Sequence, residues 1–371
     1  MAHMADREKR EDEKYMRMAL RLARNTAALP YPNPWVGCVL VKNGKVTGRG
    51  FHRGAGTNHA EIDALDQAGT LARGATLYVS LEPCCHHGRT PPCTDAIISA
   101  GIRRVVYAMR DPNPLVAGRG AAILKRNGIR IQGGVLAADA AALNEVYLKF
   151  RHTGLPFVTA KVAASLDGKI STRAGDAKWI TGGRARRRAR AMRAQHQAVL
   201  VGINTVLADN PHLGPRFKGA ANPWRVVLDS RLRIPPSARV IRAGRCIVAT
   251  TMAARSGKRE TLEQTGAEVW AFRGKRVPLM GLLRKLVSRG ILSLMVEGGG
   301  EVLGDFFDRN MVDRVFWFFS PMVIGSVESR PAVAGRGAAR LADARKLRRV
   351  SIESIGNCWL LRGNASRWAL S

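Results

Sequence analysis

Between residues 59 and 93 the sequence carries His59-Ala60-Glu61, then Pro83-Cys84 and, further on, Cys93. One imidazole and two thiolates are donors that suit a tetrahedral zinc ion, and three protein donors leave the fourth position open to water, as a catalytic zinc requires. Zinc brings the pKa of such a water down to about 7, so that hydroxide forms readily. Glu61 stands beside the metal without needing to be a ligand. It can take the proton from water and return it to a leaving amine. His-x-Glu with Pro-Cys-x-x-Cys is the signature of zinc deaminases, yet here the cysteines are not two residues apart: six extra residues, CHHGRT, separate them.

A second candidate lies far downstream. Gly298-Gly299-Gly300 follows the strand pattern LSLMVE and precedes a helical pattern over 302–308. Glycines at a strand-to-helix turn let backbone N–H groups approach phosphate, and the helix N-terminus adds favourable potential. The next glycine, Gly304, falls one place beyond G-x-G-x-x-G, and the run comes late, unlike a Rossmann first turn.

The elements that must hold these residues form two series. In the first, a helix is expected over 11–27. VGCVLVK then runs as a strand, turns at Asn43-Gly44 and returns as KVTGRGF. A helix from His59, the strand TLYVSL, a loop rich in Pro and Cys, the helix TDAIISAG, the strands RRVVYAM and GIRIQGG and a helix over 137–150 follow. Strands separated by helices imply a largely parallel sheet covered on both faces. Cys38, inside VGCVLV, reads as an inert core thiol. The segment RHTGLPF has the composition of a linker, which places the boundary near Gly154 and the domains at 1–153 and 154–371. Beyond it FVTAKVAAS, a basic helix over 184–195, AVLVG, WRVVLD, CIVAT, AEVWAF, a helix near 282–288, LSLMVEGGG and RVFWFFSPMVIG suggest a second α/β domain. A short terminal strand over 357–361 could add to its sheet antiparallel.

Length and composition fit this division. At 371 residues, with 46% hydrophobic and 24% charged residues, the chain has the balance of a globular protein of two domains. Its most apolar stretch, 315–325, is about half the roughly 20 residues of a membrane-spanning helix and reads as a buried strand, so no membrane partner is expected. The first residues, MAHMADREKREDEK, lack the apolar core of a secretory signal, and a cytoplasmic location is expected. Six cysteines suit reduced thiols or a metal site better than a disulfide framework. Sixty Lys plus Arg against 28 Asp plus Glu give a net charge of +32, which would suit a polyanion. The excess is scattered, and no aromatic-interleaved strand offers base stacking. An arginine-rich surface with phosphate-bearing small ligands is therefore preferred to a nucleic-acid partner. A nucleic-acid base deaminase, which the charge would favour, leaves the second domain unexplained.

The string LEPCCHHGRTPPC, with PNPWVGCVLV and DPNP, resembles the deaminase domain of the bifunctional RibD family of riboflavin biosynthesis. AKVAASLDGKI, WIT, MRAQHQAVLVGINTVLADNP, VVLDS and VEGGG, in that order, resemble the reductase domain of the same family. The resemblance covers essentially the whole chain. It implies a cytidine-deaminase-like three-layer α/β/α domain followed by a dihydrofolate-reductase-like α/β domain. It also implies zinc and NADPH as cofactors, and a homo-oligomer. The implied reactions are zinc-hydroxide deamination of 2,5-diamino-6-(5-phospho-ribosylamino)pyrimidin-4(3H)-one and NADPH reduction of its ribosyl group to ribityl.

The resemblance also implies roles for individual residues. His59, Cys84 and Cys93 would hold zinc, with Cys85 not required, and Glu61 would be catalytic. Asn33, His86 and Arg89 would contact the substrate in the first domain. In the second, Ala163, Trp179, Thr205, Asp209, Gly299, Gly300, Glu301, Val302, Leu303, Gly304 and Asp305 would border the cofactor. Lys161, Ala177, Arg193, Leu213, Arg216, Ser230 and Glu297 would border the substrate, and a guanidinium's fork makes Arg193 and Arg216 the expected phosphate clamps. The other arginines of the 184–195 helix read as a solvated face. Two departures from the family stand in the same loop: Asn210 where ADDP is usual, and Gly214 where LT is usual.

Overall fold

The computed structural model describes residues 2–25, 29–88, 90–217 and 219–366. The chain divides into two compact units between Thr153 and Gly154.

The first unit contains α1 (Ala2–Ala23), β1 (Gly37–Lys42), β2 (Lys45–Phe51), α2 (Ala60–Ala68), β3 (Thr76–Leu81), α3 (Cys93–Ser99), β4 (Arg104–Met109), α4 (Arg119–Arg126), β5 (Arg130–Gly133), α5 (Ala137–Leu143) and α6 (Glu145–Thr153). Its sheet runs β2-β1-β3-β4-β5. Alternation along β1 divides the core. Cys38 and Leu40 face a cluster with Ala60, Ala64, Cys93 and Ile97 from α2 and α3, whereas Val39 and Val41 face Met16, Ala19 and Leu20 of α1. The result is an α/β/α sandwich.

The sheet is less parallel than its alternation of elements implies. β3, β4 and β5 are parallel, but β1 is antiparallel to both its neighbours. The Asn43-Gly44 hairpin reverses the chain after β1, and the crossover through α2 then returns β3 to the far side of β1, alongside β2 in direction. The helix expected over 137–150 is also interrupted. Asn144 separates α5 from α6, and its side chain accepts from the Trp35 N–H at 2.7 Å and donates to the Trp35 carbonyl at 3.0 Å. That exchange fastens the segment before β1, which carries Asn33.

The second unit contains β6 (Phe157–Ser165), α7 (Gly183–Arg193), β7 (Ala198–Gly202), α8 (Ile203–Asp209), β8 (Trp224–Leu228), α9 (Arg239–Arg242), β9 (Cys246–Thr251), α10 (Ser256–Gln264), β10 (Glu268–Phe272), α11 (Leu279–Ser288), β11 (Ser293–Gly298), α12 (Gly300–Asp308), β12 (Arg314–Ser320), β13 (Arg348–Ile355) and β14 (Cys358–Asn364). Its nine strands run β10-β9-β8-β7-β11-β6-β12-β14-β13, parallel from β10 to β12, with β14 and β13 added antiparallel. One face packs on α11 and α12 through Leu282, Leu286, Leu303 and Phe306. The other packs on α7 and α10 through Ala185, Ala189, Met192 and Leu262.

Beyond Gly202 the chain winds outward through β8, β9 and β10, then returns to insert β11 between β7 and β6. Ligands of open α/β sheets bind where strand order reverses in this way. The apolar run 315–325 is strand only to Ser320. Pro321 follows, and Met322 and Val323 are exposed. β13 escapes a search by apolar alternation because almost all of it is exposed.

Candidate active sites in the two units

In the first unit, β2 lets α2 lie directly on it. A Cβ on Gly50 would stand 2.0 Å from the Ala60 carbonyl oxygen, so only glycine permits this approach. The contact fixes the N-terminus of α2, where His59 is the cap residue and makes no side-chain capping bond. Its imidazole points elsewhere: Nδ1 lies 3.1 Å from the Cys93 Sγ and 3.4 Å from the Cys84 Sγ. The ligand atoms of His59, Cys84 and Cys93 all lie within 4.8 Å of one another. Such a donor set fits zinc. Cys84 is on the loop after β3, and Cys93 is the buried first residue of α3. Hydrogen bonds from Cys93 and His59 lower the Cys84 pKa despite burial, and so favour its thiolate. Nε2 of His59 meets the Thr90 hydroxyl at 3.3 Å. A second partner of this kind fixes the tautomer and ring orientation of a histidine ligand.

Glu61 is 4% exposed. Burial, reinforced by the charge of Cys84, raises its pKa to about 7. It lines a cavity of about 600 Å³ with Asn33, His52, His59, Cys84, His86, Thr90, Asp111 and Tyr147. Asn33 donates from Nδ2 to the His52 Nε2 at 2.8 Å, and His52 Nδ1 donates to the Asn58 carbonyl at 3.1 Å. Both ring nitrogens are thus engaged by a neutral imidazole, and burial lowers its pKa accordingly. His86 brings a buried, unpartnered Nδ1 to the same cavity. Arg89 lies outside the described residues. Cys38 is fully buried, and burial pushes its thiol pKa well up, as expected of a core thiol. The Cys85 thiol donates to the Leu115 carbonyl at 3.5 Å.

Sequence reading did not single out His52, Thr90, Asp111 or Tyr147. Asp111 opens the DPNP motif and accepts from the Tyr147 hydroxyl at 2.8 Å. The motif was visible, but its partner lies on α6 and only folding brings the two together. Glu82 was overlooked as well. Buried, it accepts N–H bonds from Gly118 and Ala121 at 2.9 and 3.1 Å, tying the Cys84 loop to the start of α4.

In the second unit the candidates separate into neighbourhoods. At the glycine turn, Gly298 and Gly299 have φ of 70° and 67°, and α12 begins at Gly300 without a side-chain cap. The Thr205 hydroxyl donates to the Gly298 carbonyl at 3.4 Å, and a Cβ on Gly299 would stand 3.4 Å from that hydroxyl. This bare helix N-terminus fits a phosphate of NADPH. Glu301 and Val302 continue the first turn. Leu303 is buried in the core, Gly304 is closed over by the Ala334 carbonyl, and Asp305 faces Arg276 at 3.8 Å. Ala163 is on β6, and Asp209 ends α8. Ala177 and Trp179 are on the loop before α7, with Trp179 exposed beneath the Arg186 guanidinium at 4.5 Å.

Lys161, Arg193 and Glu297 do meet. Arg193 grips the Glu297 carboxylate through Nε at 2.5 Å and Nη2 at 2.9 Å, and donates from Nη1 to the Gly214 carbonyl at 3.2 Å. Lys161 Nζ is 3.5 Å from the same carboxylate. Burial would raise the Glu297 pKa, but Arg193 and Lys161 outweigh it and hold the value at about 2. The Arg193 fork expected to clamp phosphate is therefore closed on a carboxylate.

Arg216, by contrast, is exposed and has no hydrogen-bond or ion-pair partner among the described residues. Partial burial and the fields of Arg190, Arg239 and Arg193 lower its pKa. Leu213 is buried beside it, and the Ser230 Oγ accepts from the Val277 N–H at 3.3 Å. The two departures have local reasons. Asn210 ends α8 with φ of 41° and accepts from the Arg239 N–H at 2.8 Å, whereas a Cβ on Gly214 would stand 2.7 Å from the His212 ring.

A His/Cys/Cys cluster beside a buried carboxylate in an α/β/α sandwich, joined to a wound α/β unit with a phosphate-ready turn, defines a zinc deaminase fused to a nucleotide-dependent reductase. Family models agree on both halves. Residues 9–109 match the cytidine and deoxycytidylate deaminase zinc-binding region, and residues 156–361 match the RibD C-terminal domain. Riboflavin biosynthesis protein RibD of Bacillus amyloliquefaciens is 42% identical over 348 residues, 93% of this chain and 94% of the relative. A structure of Acinetobacter baumannii RibD superposes with a TM-score of 0.87 at 36% identity, covering 97% of this chain and 100% of that one. A Thermotoga maritima diaminohydroxyphosphoribosylaminopyrimidine deaminase/5-amino-6-(5-phosphoribosylamino)uracil reductase gives 0.84 at 36% identity with the same coverage. The chain belongs to the RibD family: it is a bifunctional riboflavin biosynthesis enzyme with a zinc-binding deaminase domain and an NADPH-dependent reductase domain.

Proposed function

We propose that residues 1–153 deaminate 2,5-diamino-6-(5-phospho-ribosylamino)pyrimidin-4(3H)-one and that residues 154–371 reduce the ribosyl group of the product to ribityl. The observation that carries this reading is the meeting of His59, Cys84 and Cys93 beside Glu61 in a closed-in cavity. Zinc, held by those three side chains, supplies the Lewis acidity that activates water. Glu61, buried beside the three ligands, takes the proton from water and delivers it to the departing amine. Asn33, kept in place by His52, and His86 engage the pyrimidine, with Arg89 as a further contact.

In the reductase unit NADPH supplies hydride to C1 of the opened sugar. Gly299, Gly300, Glu301 and Val302 at the start of α12, with Thr205, Asp209, Ala163 and Trp179, hold its phosphates and ring, Leu303 and Gly304 anchor that helix start in the core with Asp305 at its edge, and Lys161, Ala177, Leu213 and Ser230 border the sugar. Arg193 fixes Glu297, while Arg216, amid Arg190 and Arg239, receives the 5'-phosphate. None of the six cysteines is in a disulfide, which suits the reducing cytoplasm. Among the described residues no helix is long and apolar enough to cross a membrane. Exposed Val350, Ile352 and Trp359 on the terminal hairpin suit pairing with a second copy.

The test is incubation of the purified enzyme with the diaminopyrimidine ribosylamino phosphate, with and without NADPH, followed by mass analysis. Deamination alone without NADPH, and deamination plus reduction with it, are expected. Unchanged substrate in both arms from zinc-loaded protein would overturn the reading.

A further inference from the structure

Among the described residues Arg225 is the largest of the fully buried side chains. Burying a guanidinium without a carboxylate is expensive, since the charge leaves water and gains no counterion. Nevertheless, every acceptor around it is neutral. Nε donates to the His212 carbonyl at 2.9 Å, Nη1 to the carbonyls of Pro223 and Gly244 at 3.3 and 2.8 Å, and Nη2 to the Asn222 Oδ1 at 2.8 Å. Among the described residues no carboxylate pairs with it.

His212 and Asn222 are the two ends of one surface loop, and a single planar fork holds both. Between them the backbone is strained: Leu213 and Arg216 have φ of 58° and 61°, a left-handed region unfavourable for a residue with a Cβ. Gly214 sits directly over the fork, since a Cβ there would be 3.1 Å from the Arg225 Nη2, and the Gly214 carbonyl accepts from Arg193. Its N–H donates to the His212 Nδ1 at 3.1 Å. Loops closed at the neck in this way keep their shape through the neck contacts.

We propose that Arg225 is a positioning residue for reduction: it ties His212 to Asn222 from beneath and so presents Arg216 to the anionic end of the substrate. A lysine keeps the charge but cannot span both ends of the loop, because its ammonium lacks the planar fork. Among the described residues the cations beside His212, Arg216 and Asn222 are Arg190, Arg193, Arg239 and Arg245, with Glu297 already taken by Arg193 and Lys161. An uncompensated cation beneath the loop thus adds to a field that favours an anion.

This inference rests on the assignment of Arg216 to the phosphate, and Arg216→Ala tests that assignment by itself: a parental KM for substrate in that variant would remove it whatever Arg225 does. Arg225→Lys is then assayed in the full-length enzyme, where deamination by the other unit is an internal control. The KM for the deaminated ribosylamino phosphate, and the constant for inhibition by inorganic phosphate, should each rise about tenfold, as expected when a binding group is displaced by a fraction of its productive geometry. The kcat, the KM for NADPH and the deamination rate should remain within about twofold of the parent. Parental substrate KM in Arg225→Lys would overturn the proposal, as would an equal rise in both KM values, which marks a general loss of structure. Should Arg225→Lys not fold, Asn222→Ala removes one neck contact at an exposed position. A rise of about threefold in substrate KM alone supports the proposal, and no rise overturns it.

Discussion

The two sites are built in opposite ways. The deaminase site gathers its metal-binding set from one stretch, residues 59–93, on the starts of two helices and the loop between them. The candidate reductase residues run from Lys161 to Asp305, spread over β6, α7, α8, β11, α12 and the loops between them. In the first, soft ligands stand beside one buried carboxyl, that of Glu61. In the second, one buried carboxylate is saturated by two cations while Arg216 has no partner among the described residues. A protein-held metal demands fixed donors a few ångströms apart, which a short segment can supply. A long cofactor and its substrate need a surface, which only several strands together can make.

The sharpest way to break this comparison is to disable one site and watch the other. Cys93→Ser should lose zinc by elemental analysis and abolish deamination, while reduction of the deaminated substrate stays within about twofold of the parent, because the ligands belong to one unit alone. Loss of both activities would show the separation to be false.

Glu61→Gln should keep zinc yet slow deamination by roughly a hundredfold or more, since the shape remains and the proton carrier does not. Retention of metal with normal turnover would falsify the assignment.

The saturated carboxylate can be probed by pH. Glu297 is held at about 2 against an ordinary 4.5. A folded value below the unfolded one gives stability that is complete above about pH 4.5 and is lost as pH falls toward 2. Denaturant titration read by reductase activity should show that decline. Glu297→Gln should flatten it and destabilise this unit by about 3 kcal/mol at pH 7, where Arg193 and Lys161 lose their anion. An unchanged midpoint would mean that the ion pairs contribute little.

Arg216→Ala should raise the reductase KM for substrate about tenfold with NADPH binding unaffected, and the dephosphorylated substrate should not distinguish variant from parent. The smallest effect is expected at Cys85, where replacement by Ser should leave zinc content and both activities as they were. Loss of metal there would place Cys85, and not Cys84, in the ligand set.

Much of this organisation was legible in the linear sequence. His59, Glu61, Cys84 and Cys93 announce themselves because a metal site depends on side-chain type and near-neighbour spacing, both of which are printed in the chain. Strands such as AVLVG and CIVAT, and the turn at Gly298–Gly300, follow from local propensity and from φ values that only glycine accepts without strain. What tertiary structure decided was how distant groups use one another. No spacing announces that the Arg193 fork closes on Glu297 and leaves Arg216 open, that the Asp111 carboxylate accepts from Tyr147, or that Arg225 holds both ends of a loop. β13 escaped notice for a related reason: an exposed edge strand buries too little apolar surface to leave an alternating signature. Ion pairs, loop necks and sheet edges depend on where the backbone brings residues far apart in sequence, and their energies come from burial and orientation, which no local pattern encodes.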